Sequence, residues 1–192
     1  LDSLIIEAGL KYAVLDGHGI LNANPRPRYG IYSPICSKNG VAFFGRDSKS
    51  TLPVWSSKQG YPGHSDYREF HRDLGWDIST EELNQIGIKE PRPLGIKLYR
   101  VTNQNIPLDK KKIYDPEKAS NRIKIHAKEY LQDRKKQLNH LKELMGINPL
   151  LIAPFDAELF GHWWYEGPRF IENILRKSIH YSIKLTNLKE IL

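Results

Sequence analysis

The stretch Tyr12-Ala13-Val14-Leu15-Asp16-Gly17-His18-Gly19 decides the fold class. Four apolar residues in a row read as a short buried strand, and the run passes straight into an acid, two glycines and a histidine. Just upstream, Leu4, Ile5 and Ala8 recur at helical spacing within Asp2 to Ala8, and Gly9 suits a helix stop. A helix, then a strand, then polar residues and glycine at the strand's C-terminal end is the order of an α/β barrel. In such a barrel the strand ends hold the chemistry.

Working outward, residues 22–63 form a long loop region rich in Pro, Gly, Ser and aromatics. Within it, Val41-Ala42-Phe43-Phe44 reads as a second buried strand leading into Gly45-Arg46-Asp47. A loop this long is a functional element when its aromatics order it. Tyr67 to Asp73 is expected to start a helix, and the alternation across Ile96 to Val101 predicts a third strand. The clearest element is a long amphipathic helix over about 116–145. Asp115 is its N-cap, Pro116 its first position and Gly146 its stop. Ile123, Ala127, Tyr130, Leu138, Leu141 and Met145 form its apolar stripe. The stripe is polar at Arg134, which favours packing on a barrel over a coiled coil. Leu150-Leu151-Ile152-Ala153 is a fourth strand candidate, and Glu166-Gly167-Pro168 opens another helix with Phe170, Ile171, Ile174 and Leu175 inward.

The 192 residues suffice for one domain with a real core, and 40% hydrophobic against 27% charged residues is a globular balance. No apolar run approaches the roughly 20 residues that span a bilayer. The net charge of +7 sits largely in Lys110 to Lys142, where lysines scattered around one helix read as a solvated face. No nucleic-acid motif accompanies them. A single cysteine, Cys36, allows no internal disulfide and fits a reducing compartment, so a cytoplasmic location is expected. The chain opens on Leu1 and its sole methionine is Met145, so it reads as a piece of a longer protein.

The most informative segment is 154–168: Pro154-Phe155-Asp156-Ala157-Glu158-Leu159-Phe160-Gly161-His162-Trp163-Trp164-Tyr165-Glu166-Gly167-Pro168. An acid follows a strand directly, with a histidine and two tryptophans behind it. Carboxylates beside aromatic platforms suit a polysaccharide. Aromatic faces stack on sugar rings, exclude water and raise a carboxyl pKa towards the range of a general acid. Asp156 is the candidate acid, against the plainer role of a cap or ion-pair partner. Glu158 reads as a structural partner that orients the loop. Of Trp163 and Trp164 at least one belongs to the core, since chain neighbours rarely face one pocket.

This segment resembles the fourth sequence motif of glycoside hydrolase family 57, with Tyr165 where Phe is usual. Val14-Leu15-Asp16-Gly17-His18-Gly19 is similar to the strand and turn that follow the family's nucleophile motif. Pro25-Arg26-Pro27-Arg28-Tyr29-Gly30, Phe44-Gly45-Arg46-Asp47, Val54-Trp55-Ser56-Ser57, Gly60-Tyr61-Pro62-Gly63 and Tyr67-Arg68-Glu69-Phe70 are similar to its glucan-branching branch. Pro53 stands where that branch has Gln, which puts one acceptor contact in doubt.

The resemblance implies part of a (β/α)7 barrel and a retaining double displacement on an α-glucan such as glycogen, amylose or amylopectin. Asp156 is then the general acid/base, with a Glu nucleophile upstream of the chain. Branching by transfer to a 6-hydroxyl is the expected outcome. An α-amylase or 4-α-glucanotransferase of the same family, or a non-catalytic glucan-binding remnant, are the alternatives. No metal or organic cofactor is implied. Substrate contacts are expected from His18, Arg46, Asp47, Trp55, Trp76, His162, Trp163 and Trp164. His18 could equally tether its loop, Arg46 and Asp47 could pair with each other, and each Trp could be packing. A metal-dependent polysaccharide deacetylase has a related barrel, but His64, His71, His126 and His140 lack the spacing of its metal site.

Overall fold

The computed structural model describes residues 2–192. They divide into two compact units: residues up to Val54 with Glu129–Phe155 and Leu175–Leu192, and Trp55–Lys128 with Asp156–Ile174.

The first unit is built on a small mixed sheet. Helix α1 (Asp2–Glu7) ends at Gly9, which takes the left-handed conformation (φ 71°) that a helix stop needs. Strand β1 (Tyr12–Leu15) follows, then the short helix α2 (Gly17–Leu21), β2 (Ile35–Cys36) and β3 (Ala42–Gly45). The sheet order is β1-β3-β2, with β3 parallel to β1 and antiparallel to β2. Ala42 and Phe44 of β3 pack with Ile152 into a small core. The expectation of a buried β1 needs correction. Tyr12 and Val14 are 39% and 38% exposed, and β1 pairs with β3 alone.

Leu150–Ala153 is no fourth strand. It makes one parallel bridge, Ile152 to Arg46, and Asp47 N–H donates to Ile152 O at 2.8 Å. Pro149 and Pro154 flank the run and offer no N–H for a longer ladder. Helix α3 (Ser48–Trp55) lies inside the region read as loop, despite Pro53 within it. Asp47 starts it, accepting from Lys49 N at 3.3 Å and from the Ser50 hydroxyl.

The second unit has little regular structure. The helix expected over Tyr67–Asp73 begins only at Leu74. Helix α4 is Leu74–Asp77, and α5 is Thr80–Gln85. Asp73 is buried and gathers the N–H groups of Gly75, Leu94 and Gly95 (2.8–3.0 Å), with Lys97 Nζ at 3.0 Å. It therefore ends the extended chain and caps α4. Ile96–Val101 is extended but forms only single bridges, Arg100 to Arg68 and Tyr99 to Ile113. Its bonds alternate between two flanking segments, so no ladder builds.

Helix α6 runs Pro116–Met145, as the cap residues predict. Asp115 accepts from Glu117 N and Lys118 N at 3.1 and 3.0 Å, and Gly146 is left-handed (φ 69°). Its residues Ala119, Ile123 and Ala127 are core of the second unit, and Leu131 is core of the first. The polar break in the stripe has a purpose: Arg134 donates to Lys49 O, and Gln137 Nε2 to Asp47 Oδ2 at 2.9 Å. Helix α7 (Gly167–Lys177) buries Phe170. Among the described residues, no helix is long and apolar enough to cross a membrane.

Candidate active site

The second unit is organised around large aromatic rings. Tyr67 (0% exposed), Trp164 (1%) and Phe170 pack in series, with ring centroids 5.5 and 5.1 Å apart. Tyr61 stacks on His126 at 4.6 Å, and His126 Nδ1 shares a 2.7 Å hydrogen bond with the Tyr67 hydroxyl. Burial lowers His126 from 6.5 to about 4, helped by the nearby His64 and Arg122 charges. Burial likewise pushes the Tyr67 phenol up, so both groups stay neutral.

Two chain segments lie on this core. Along residues 67–70 burial alternates, with Tyr67 and Glu69 buried and Arg68 and Phe70 partly exposed. Tyr67 enters the core, Arg68 lies over the Tyr165 ring (3.7 Å), Glu69 turns to Lys111 (3.1 Å) and Phe70 meets Trp163 (4.4 Å). The Arg68 N–H donates to Glu166 Oε1 at 3.0 Å. Burial pushes the Glu166 carboxyl up even so.

The second segment is the tight loop 156–164. Asp156 opens a single 3-10 turn, Ala157–Leu159, and caps it through its main chain: Leu159 N donates to Asp156 O at 3.1 Å. The Asp156 carboxylate takes no part in the cap and is exposed. Trp164 N then donates back to Leu159 O (2.9 Å), and Gly161, at φ 104°, lets the chain reverse. The reversal splits the tryptophan pair. Trp164 goes into the core, while Trp163 stands 48% exposed with its indole N–H on Glu158 Oε1 at 3.2 Å. Glu158 therefore orients the loop by a hydrogen bond to Trp163.

Asp156, Glu158 and Trp163 line a cleft of about 840 Å³, together with Trp55, Arg68 and Phe70. This volume fits a small oligomeric ligand. His162 stands edge-on to the rings of Phe70 and Trp163, at 5.4 and 5.2 Å. Trp76, on α4, is exposed and outside this cleft.

His18, Arg46 and Asp47 belong to the other unit. His18 Nδ1 lies 3.3 Å from Asp16 Oδ1, and Arg46 reaches Asp16 Oδ2 at 3.8 Å and Thr51 Oγ1 at 3.1 Å. The expected Arg46–Asp47 pair does not form, because neighbours at a strand end project to opposite sides. Asp47 is 2% exposed and spends its carboxylate on α3 and Gln137.

Glu69, Lys111 and Glu166 carry no site signal in the sequence. Alternation along Tyr67-Arg68-Glu69-Phe70 bears on the direction of Glu69 alone, and nothing local tells that Lys111, more than forty positions on, reaches it.

No family model matches the chain. It is 36% identical over 169 residues to a Mycobacterium tuberculosis protein described as "Probable 1,4-alpha-glucan branching enzyme", covering 88% of this chain and 28% of that protein. The novel α-amylase AmyC of Thermotoga maritima superposes with a TM-score of 0.92 at 36% identity, over 99% of this chain and 37% of that one. The GH57-type branching enzyme of Pyrococcus horikoshii gives 0.81 at 30% identity, over 98% and 31%. The chain thus spans about a third or less of each of these relatives. Likeness in sequence over most of its length, and in fold over nearly all of it, places the chain in glycoside hydrolase family 57.

Proposed function

We propose that the protein is a retaining α-glucan-transferring enzyme of the 1,4-α-glucan branching type, with Asp156 as its general acid/base. One observation carries the reading. The Asp156 carboxylate opens onto a cleft that also presents the exposed indole of Trp163, and its own turn leaves it unspent. The sheet of the first unit is then one arc of a (β/α)7 barrel.

The chemistry runs in two displacements. A carboxylate nucleophile, contributed by sequence outside these 192 residues, attacks the anomeric carbon. Asp156 protonates the departing glucosidic oxygen, and the α-1,4 bond breaks. Asp156, now a carboxylate, takes the proton from a 6-hydroxyl of a second glucan strand as that oxygen attacks the glycosyl-enzyme. The nucleophile leaves, and an α-1,6 bond has replaced the α-1,4 bond. Such a pair works at a carboxylate separation of roughly 5 Å. Trp163 and Trp55 supply stacking faces for glucose rings, and Glu158 holds the Trp163 indole in place.

A second reading, α-amylase action, draws on the TM-score of 0.92 to the Thermotoga maritima amylase against 0.81 to the Pyrococcus horikoshii branching enzyme. It differs only in taking water as the acceptor. The test is Asp156→Ala in the full-length enzyme on amylose, with product linkages analysed. Turnover should fall by about 10²- to 10⁴-fold with the fold retained. The parent should form new 1,6 linkages. Near-parental turnover in Asp156→Ala rejects the acid/base assignment, and shortened linear chains alone favour the amylase.

A further inference from the structure

Beside the cleft lies a charged pair that the chemistry above leaves unused. Lys111 and Glu69 are both buried, and both line the cleft wall. The Lys111 ammonium meets three acceptors: Glu69 Oε2 at 3.1 Å, and the carbonyls of Val101 and Asn103, each at 2.8 Å. That matches its three N–H donors. The remaining Glu69 oxygen accepts from His71 N at 2.9 Å.

The two carbonyls flank Thr102, which sits at φ 61°, a region that β-branched residues rarely occupy. Thr102 is gripped on every side. Its N–H donates to Ser65 O (2.9 Å), its hydroxyl donates to Arg100 O (3.0 Å), and that hydroxyl accepts from Lys112 N (2.9 Å). Two residues on, Gln104 Nε2 faces the carbonyls of Ser57, Lys58 and Gly63 at 3.0, 3.1 and 3.2 Å. Gly63 can bring its chain this close because a Cβ there would lie 1.7 Å from Ser57 O. Directly after these two clamps, Asn105 and Ile106 line the cleft.

A strained residue persists only where its surroundings over-determine it, and such residues gather at functional sites. A buried ion pair adds little net stability over apolar packing. A strained turn bound by a buried charge therefore points to placement rather than stability. We propose that Lys111 and Gln104 are positioning residues for glucan binding. Lys111, ion-paired to Glu69, fixes Val101 and Asn103 of the 101–106 wall. Gln104 anchors the residue directly before Asn105, so that Asn105 and Ile106 meet an α-1,4-linked glucan in one arrangement. This inference rests on the glucan-transfer reading and assigns the loop to substrate placement within it.

The experiment uses the full-length enzyme with Gln104→Ala, Gln104→Glu (similar size, no N–H donor) and Lys111→Met. KM and kcat are measured on amylose. Maltoheptaose binding is measured by calorimetry in an Asp156→Ala background. Both Gln104 variants should raise KM and weaken maltoheptaose about 10-fold, with kcat within about twofold. Lys111→Met should move the same way and further. It strands the Glu69 charge, so if it fails to fold, the exposed Gln104 decides. Parental KM and maltoheptaose affinity in the Gln104 variants overturn the inference, whatever their melting temperatures do, and so does a fall in kcat alone. If Asp156→Ala is dead while the Gln104 variants bind as the parent does, the inference fails by itself. If Asp156→Ala turns over amylose, the reading beneath it fails.

Discussion

The two units hold themselves together in different ways. In the sheet unit, a backbone ladder of short strands is joined by a mainly aliphatic core: Ile20, Val41, Val54, Leu131 and Ile152, with Phe44 as its one large ring. In the aromatic unit, long extended segments form almost no ladder. A few large side chains, Tyr67, Trp164 and Phe170, and buried polar groups such as Asp73, His126 and Lys111 do the ordering. The candidate site is in the second kind of structure. A ladder needs main-chain bonds along the whole segment. A wall held by single side-chain contacts leaves the intervening residues free to face a ligand.

If this contrast is right, the neighbouring tryptophans should separate most sharply. Trp164→Ala opens a cavity in the aromatic core and should cost about 3–5 kcal/mol of stability by chemical denaturation. Trp163→Ala should cost under about 1 kcal/mol but raise KM for amylose. Equal stability losses would mean that the aromatic unit does not rest on its core rings.

Acid should loosen the aromatic unit before the sheet unit. His126 titrates near 6.5 when unfolded and near 4 when folded, so between these values the unfolded state binds more protons. Stability from this group is therefore complete above about pH 6.5 and declines as pH falls towards 4, by about 3 kcal/mol in all. That net shift is set first by burial and already includes the reinforcing His64 and Arg122 and the opposing Asp66. Unfolding monitored from pH 7 to 4 should lose this slope in His126→Gln. An unchanged slope would assign the acid sensitivity elsewhere.

A smaller effect tests the sheet unit. Asp47→Ala removes the start of α3 and the partner of Gln137, and should cost about 1–3 kcal/mol by denaturation. Smallest of all is Val14→Ala on the exposed face of β1. It should stay within about 0.5 kcal/mol. A larger loss would show that β1 is covered in the intact protein, and would sharpen the contrast by making the sheet part of a larger core.

Short-range signals were readable and long-range ones were not. Asp115, Pro116 and Gly146 set the limits of α6 because caps act within one turn. The run 12–15 marked β1 because four apolar residues in a row are a local pattern. The strands expected at 96–101 and 150–153 failed for the opposite reason. Alternation reports which faces a segment buries, not whether a neighbour lies along it. In the same way Asp156, Glu158 and the tryptophan pair were legible as a local motif, while the division of Trp163 from Trp164 depended on the reversal at Gly161.

What the amino-acid order settled alone was carried by contiguous residues: the long helix, the first strands, and an acid beside indoles within one short loop. Only the tertiary structure decided which of two adjacent rings meets solvent, that Arg46 turns to Asp16 instead of Asp47, and that Lys111 closes on Glu69 across some forty residues. The physical reason is that caps and periodicity are set by bonds within a turn or two of chain. Burial and ion pairing depend on which distant segments come to lie together.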